Sequence, residues 1–185
     1  MTLLSISAVA FVVSEISIRL RSATRRHGSR VDSGSILVVI AAIALGALLA
    51  TWCRSTRVGA IHSGAQVMDV VGIVLVWLGI VLRQWAVWVL GPFFTVVVRV
   101  SDEQPVIDHG PYRWVRHPSY TGLLLTLLGV GTAVENWLSL IASTVLPALG
   151  LAVRIRVEER ALHAALGESY AAYAAGRRRL VPGIW

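Results

Sequence analysis

Leu3 to Leu20, Ser35 to Trp52, Met68 to Leu90, Ser119 to Val134 and Trp137 to Val153 are apolar runs. Each lies near the ~20 residues that carry a helix across the hydrocarbon of a bilayer. Such runs leave a chain few options. Lipid offers backbone N–H and C=O groups no partner, so a spanning segment must close its hydrogen bonds internally, as a helix, or join a closed barrel. Continuous apolar runs of this length, without two-residue alternation, select helices. The expected fold is all-α: a multi-pass transmembrane helical bundle with spans at approximately 3–20, 35–52, 68–90, 119–134 and 137–153. Charged residues make up 15% of the chain, against about 25% in soluble domains, and the mean hydropathy is +0.70. No internal repeat or composition break divides the chain, so residues 1–185 are read as a single domain.

The first run contains Glu15 and is followed, not preceded, by arginines. That order argues against a cleaved secretory leader and for a spanning helix with its N-terminus outside. Arg21 to Gly34 reads as a polar loop, and Gly91-Pro92 ends the third span. Phe93 to Val100 is β-branched and aromatic, but a lone strand cannot sit in lipid. It is therefore expected at the interface or packed beneath the helices. The fifth helix is expected to continue past Arg154 to Leu166, break at Gly167 and resume as a short amphipathic helix from Glu168 to Ala175. All basic residues except histidine are arginine, and the formal net charge is +7. With the N-terminus outside, fourteen arginines fall on inner segments and two, Arg54 and Arg57, on outer ones, with Arg83 inside a span. This bias obeys the positive-inside rule and accounts for the basic charge as membrane orientation, with no nucleic-acid partner. The expected location is the cell membrane, with the C-terminus cytoplasmic. Cys53 is the only cysteine, which excludes an internal disulfide and a cysteine-based metal site. No metal or phosphate-loop motif is present, and there is no room for a separate dinucleotide domain.

Chemistry concentrates in Gly110-Pro111-Tyr112-Arg113-Trp114-Val115-Arg116-His117-Pro118-Ser119-Tyr120-Thr121-Gly122. Pro111 and Pro118 fix φ and push the residues before them out of helix, so a rigid polar turn precedes the fourth span. His117 can serve a bound small molecule or merely cap a neighbouring helix end. Tyr112 and Tyr120 can be interfacial tyrosines or aromatic faces beside a cation. Arg154 and Glu158 stand four apart on one helix face, where the plain alternative is an intrahelical ion pair. Their depth at the cytoplasmic interface favours a cavity instead. Arg83 is expected to bind carbonyls or an acidic group within the bundle, and Arg177, Arg178 and Arg179 to face anionic headgroups of membrane lipids.

The same residues carry a resemblance. Leu82-Arg83-x-Trp85-Ala86, Leu90-Gly91-x-Phe93-Phe94-Thr95, Gly110-Pro111-Tyr112-Arg113 and Arg116-His117-Pro118-Ser119-Tyr120-x-Gly122 occur in that order. They are followed by Arg154, Glu158-Glu159, Leu166-Gly167-x-x-Tyr170-x-x-Tyr173 and Leu180-Val181-Pro182-Gly183. The ordered set resembles the isoprenylcysteine carboxyl methyltransferase family of integral membrane enzymes, over rather more than half of the chain. The resemblance implies S-adenosyl-L-methionine as cofactor, bound in a cytoplasmic C-terminal region of about residues 93–185. By motif match the cofactor residues are Gln104, Pro105, Val106, Ile107, Tyr112, His117, Pro118, Ser119, Tyr120 and Glu158, with Arg154 on the acceptor side as the catalytic residue; no metal is implied. Two positions depart from the pattern: Gln104 stands where the family usually has His, and Val97 near where eukaryotic members have a cofactor-contacting Gln.

The reaction implied is methyl transfer to a lipophilic small-molecule or lipid-modified acceptor, foremost a carboxylate. A phospholipid amine or a thiol is the alternative acceptor, and would need a base near Tyr112 or His117. A sterol-reductase-like enzyme using NADPH and a non-catalytic scaffold are the readings from other classes. The arginine bias yields a direct test of orientation. A cysteine placed near Ser63 is expected to react with an impermeant thiol reagent from outside, and one near Ser101 to be protected; the reverse pattern inverts the topology.

Overall fold

The computed structural model describes residues 3–23, 29–30, 34–56, 58–61, 64–96, 99–100, 105–183 and 185. Five helices dominate: α1 (Leu3–Ala23), α2 (Ser35–Thr56), α3 (Ala65–Leu90), α4 (Pro118–Ala133) and α5 (Trp137–Ala175). Three stretches, Ser35–Thr56, Gln66–Phe93 and Trp137–Ala175, are long and apolar enough to cross a bilayer by length and composition. The helices leave large apolar side chains outward, among them Leu45, Leu48, Val81 and Leu149. An apolar exterior of this extent marks a membrane protein. At 1.5 Å per residue the continuous stretch of α5 from Trp137 to Leu166 extends ~45 Å, longer than the ~30 Å of a hydrocarbon core. Part of it must therefore lie outside the hydrocarbon, and the charged residues begin at Arg154. As expected, Gly167 breaks the helix, with φ 53° and ψ −126°.

The bundle is assembled from two pairs, α3 on α4 and α2 on α5; α4 joins α5, and α1 lies against α3. The α3–α4 seam is close because of glycine. A Cβ on Gly79 would stand 2.5 Å from both the Gly122 carbonyl and the Thr126 nitrogen, and one on Gly122 would stand 2.7 Å from the Gly79 carbonyl. Small residues allow this approach where lipid supplies no hydrophobic drive between helices. The Arg83 expectation is met. Its guanidinium pairs with Glu15 of α1 (Nη2 to Oε2, 2.9 Å), and Nη1 donates to the Ser119 carbonyl at 3.0 Å and hydroxyl at 2.9 Å. One buried cation thus pins α1 and α3 to the first turn of α4.

The bundle has two distinct ends. At one, the α2–α3 connection lies on the α4–α5 turn. Trp137 N donates to the Gly59 carbonyl at 3.0 Å, and Asn136 accepts from Ser139 N at 2.9 Å as the cap of α5. The other end gathers everything else. Gly91–Phe93 forms a 3₁₀ turn, and Arg99–Val100 (β2) pairs antiparallel with Ser29–Arg30 (β1). This corrects two expectations: the Phe93–Val100 segment does contribute a short strand, and its partner lies within the segment read as loop. The pairing answers the objection to a lone strand, since the backbone groups find partners in the α1–α2 connection.

The His117 turn is locked from behind by the C-terminal tail. Arg116 N and His117 N donate to the carbonyls of Arg178 and Arg179 at 2.8 and 2.9 Å, and Thr121 Oγ1 donates to the Leu180 carbonyl at 2.8 Å. Glu159 of α5 sits at the centre. Its Oε1 meets Arg116 Nη1 at 3.0 Å and His117 Nε2 at 3.3 Å, and its Oε2 accepts from Arg179 Nε at 2.8 Å. Burial alone raises the Glu159 pKa, but the hydrogen bonds with His117 and Arg179 and the charge of Arg116 outweigh it, taking the carboxyl from 4.5 down to about 2.

Two tests follow from this packing. Gly79→Ala places a methyl group against backbone that cannot yield, so thermal stability is expected to fall by about 1–3 kcal/mol. Gly176→Ala, with nothing within 4 Å, is the silent control. The Glu159 pKa is lower folded than unfolded, so its contribution is complete above pH 4.5 and is lost as pH falls towards 2. Melting temperature is expected to fall through that window more steeply in wild type than in Glu159→Gln. Equal slopes would remove Glu159 from the clamp.

Candidate functional site

A cavity opens at the crowded end of the bundle, with about 820 Å³ of empty space including its mouth. Helix α5 supplies one wall in helical register: Arg154, Glu158, Leu162 and Leu166 recur every four residues, and Tyr170 and Tyr173 continue the lining beyond the Gly167 break. Phe93, Phe94 and Thr95 supply another wall, and Pro105, Val106 and Ile107 a third. The proline-framed turn contributes Tyr112, Arg116, His117, Ser119 and Tyr120.

Most of the residues singled out in the sequence are brought together here. Pro105, Val106, Ile107, Tyr112, His117, Ser119, Tyr120, Arg154 and Glu158 all line the cavity. Pro118 does not; it is fully buried beneath, as the first residue of α4. Gln104 lies outside the described residues. His117 lines the cavity with its ring stacked on Tyr120, centroids 5.6 Å apart, while Nε2 faces Glu159. Tyr112 is also held from behind: its hydroxyl donates to the Ala86 carbonyl at 3.4 Å, and its carbonyl accepts from Tyr173 Oη at 2.9 Å. Burial, then the nearby Glu158 carboxylate, raises the Tyr112 pKa well above 10.0, so its phenol stays protonated.

Arg154 and Glu158 are joined through a third group. Tyr120 Oη accepts from Arg154 Nε at 3.0 Å and donates to Glu158 Oε2 at 2.6 Å. The Arg154 guanidinium, 2% exposed, also donates from Nη1 to Ser35 Oγ of α2 at 2.9 Å and from Nη2 to the Val96 carbonyl. Three elements besides its own helix therefore fix its plane. The result is a permanently charged planar donor held in one orientation at the wall of the cavity.

A second cavity, of similar empty volume, lies on the other side of this relay. It is lined by Phe11, Ile36, Val39, Ile40, Ile43, Leu123 and Leu151, with Glu15, Arg19 and Arg83 among them. Phe94, Thr95, Tyr120 and Arg154 belong to both cavities. The first cavity is the more polar chamber of the two and the second the more apolar one, and they meet at a shared wall that carries a cation.

Sequence reasoning named Glu159, Arg116, Tyr170 and Tyr173 only inside motifs, gave Ser35 no role, and expected Arg179 at lipid headgroups, whereas it pairs with Glu159. Glu159 and Arg179 hold the turn; Ser35 and the Val96 carbonyl hold Arg154; Arg116, Tyr170 and Tyr173 line the cavity. The four-residue ladder from Arg154 to Leu166 was the available signal for the α5 wall. Nothing in the sequence pointed to Ser35, which is 119 residues away from Arg154.

Comparison with known proteins points to a family. Residues 70–164 match the model of the isoprenylcysteine carboxyl methyltransferase (ICMT) family. A probable protein-S-isoprenylcysteine O-methyltransferase of Oryza sativa subsp. indica is 39% identical over 106 residues, 56% of each chain. The Protein-S-isoprenylcysteine O-methyltransferase of Xenopus laevis is 31% identical over 132 residues, 69% of this chain and 46% of the relative. Among solved structures, the eukaryotic intramembrane Ras methyltransferase ICMT aligns with a TM-score of 0.59 and 25% identity, over 80% of this chain and 52% of that one. The chain thus spans about half the length of the relatives it matches. With half of its residues in the family match, and with the turn, the relay and α5 up to Ala164 inside it, the chain belongs to the isoprenylcysteine carboxyl methyltransferase family.

Proposed function

We propose that the protein is an S-adenosylmethionine-dependent methyltransferase that esterifies the carboxylate of a lipophilic acceptor at the cytoplasmic face of the cell membrane. The observation that carries this reading is the shared wall: Tyr120 and Arg154 border both the polar chamber and the apolar one. Two reactants of opposite solubility can meet there without either leaving its own phase. The acceptor class follows from the names of the relatives, isoprenylcysteine O-methyltransferases. The amine, thiol and nicotinamide alternatives find no support in the family or in those names.

The polar chamber suits the cofactor. Its aromatic walls attract a sulfonium by ~0.5–2 kcal/mol. Bound S-adenosylmethionine supplies an electrophilic methyl group. Glu158, which accepts only from Tyr120 among the described residues, has lone pairs left for the ammonium of the amino-acid end. Arg154 holds the acceptor carboxylate by charge-assisted hydrogen bonds and aligns it for in-line attack. The carboxylate is already ionised, so no side chain has to remove a proton. The walls exclude water and keep the two partners oriented.

The two charges should separate in mutants. Glu158→Gln is expected to weaken S-adenosylhomocysteine binding about tenfold or more with little change in melting temperature. Arg154→Lys keeps the charge but loses the fork; cofactor affinity is expected to persist while methyl transfer to a prenylated cysteine analogue falls at least about a hundredfold. Full turnover in both variants would reduce the relay to a structural link.

A further inference from the structure

Two donors on the wall of the polar chamber have no partner. Tyr170 Oη and Arg116 Nε are closed to solvent and make no hydrogen bond among the described residues. Buried polar groups are nearly always paired, and an unpaired one costs stability. The other two orphans, Thr144 Oγ1 and Arg177 Nε, belong to residues that do not line this chamber. Both chamber residues are held from behind. Tyr170, 4% exposed, sits against the edge of His163 at 4.8 Å and against Tyr173 at 5.9 Å. Arg116 is anchored through Nη1 on Glu159 at 3.0 Å, and its side chain is 12% exposed.

Their chemistry points one way. A guanidinium has no lone pair to offer, and burial raises the Tyr170 pKa so that the phenol keeps its proton. One fixed cation and one fixed hydroxyl, both donors, call for an anion with two oxygens. The adjacent carboxylate of Glu159 is already committed to His117, Arg116 and Arg179. Glu158 lines the same chamber and offers the opposite charge. A chamber with one available carboxylate and one such donor pair complements the two charges of an α-amino acid.

We propose that Arg116 and Tyr170 form an anion subsite that receives the carboxylate of the amino-acid end of the methyl donor, and so select ligands that carry it. The proposal rests on the methyl-donor reading above and adds a specificity that Glu158 cannot provide.

The test is calorimetric binding of S-adenosylhomocysteine and of its decarboxylated analogue to the full chain in detergent. Wild type is expected to prefer the carboxylate-bearing compound by roughly tenfold or more. Tyr170→Phe and Arg116→Lys are expected to bring that ratio towards one while leaving the affinity for the decarboxylated compound within about twofold. Tyr170→Phe removes a hydroxyl that bonds to nothing among the described residues, so its melting temperature should hold or rise. A fall in melting temperature with an intact ratio would mean that the hydroxyl serves a trapped water and would overturn the subsite. Equal wild-type binding of both compounds sinks the subsite alone. Binding of neither sinks the methyl-donor reading and the subsite with it. A phospholipid phosphate as the true occupant would appear as competition by anionic but not zwitterionic lipid, with no discrimination between the two adenosyl compounds.

Discussion

A buried guanidinium must be met by hydrogen bonds along its edges, and the site is arranged around that requirement at Arg154. Each hydrogen bond to a charged group is worth about 1.5–3 kcal/mol, and losing one leaves the buried charge short of a partner. Arg154 is met by a hydroxyl from α2, a carbonyl from the segment after α3 and the Tyr120 hydroxyl from α4. None of these elements can move far without stranding it. The cation that would hold the acceptor is therefore also what registers four parts of the chain against one another. Functional placement and fold stability are the same set of bonds.

Glu158 and Glu159 show how a helix divides two identical groups. Adjacent positions lie about 100° apart around the axis, so they cannot share a face. Glu158 points to the chamber and meets Tyr120. Glu159 points to the tail and meets Arg116, His117 and Arg179. One carboxylate keeps capacity for a ligand, and the other spends it all on structure. His117 follows from this division. Its ring borders the chamber, but its nitrogen is engaged with Glu159, so its part in the site is to present the turn and a stacking surface to Tyr120.

The legibility of the sequence tracked the range of the interactions. Helices α2, α3 and α5 were plain because apolar length is a local property, and Pro118 marked the start of α4 and Gly167 the break in α5 through backbone geometry alone. The turn and the Arg154–Glu158 spacing were legible for the same reason. The β1–β2 pair was not, since two residues on each side carry no periodicity and each finds its partner some seventy residues away. Glu159 was quoted only as part of a motif, because its partners come from the turn and from the tail. Ser35 looked like nothing more than the start of a helix. In lipid the polar residues that matter are those that find each other across the bundle, and composition does not reveal such pairs.

The family match begins at residue 70, within α3, yet the site does not begin there. The polar chamber is walled by residues from Leu90 onward, nearly all of them inside the match or just beyond it. The apolar chamber takes Phe11, Glu15 and Arg19 from α1 and Ile36, Val39, Ile40 and Ile43 from α2, all outside it. Those helices also supply Glu15 to Arg83 and Ser35 to Arg154. The first two helices therefore carry no motif but complete the buried cations Arg83 and Arg154 and build about half of the apolar chamber's wall. The more polar chamber comes almost wholly from the family-matched part of the chain, and the apolar one is closed by helices that lie before it.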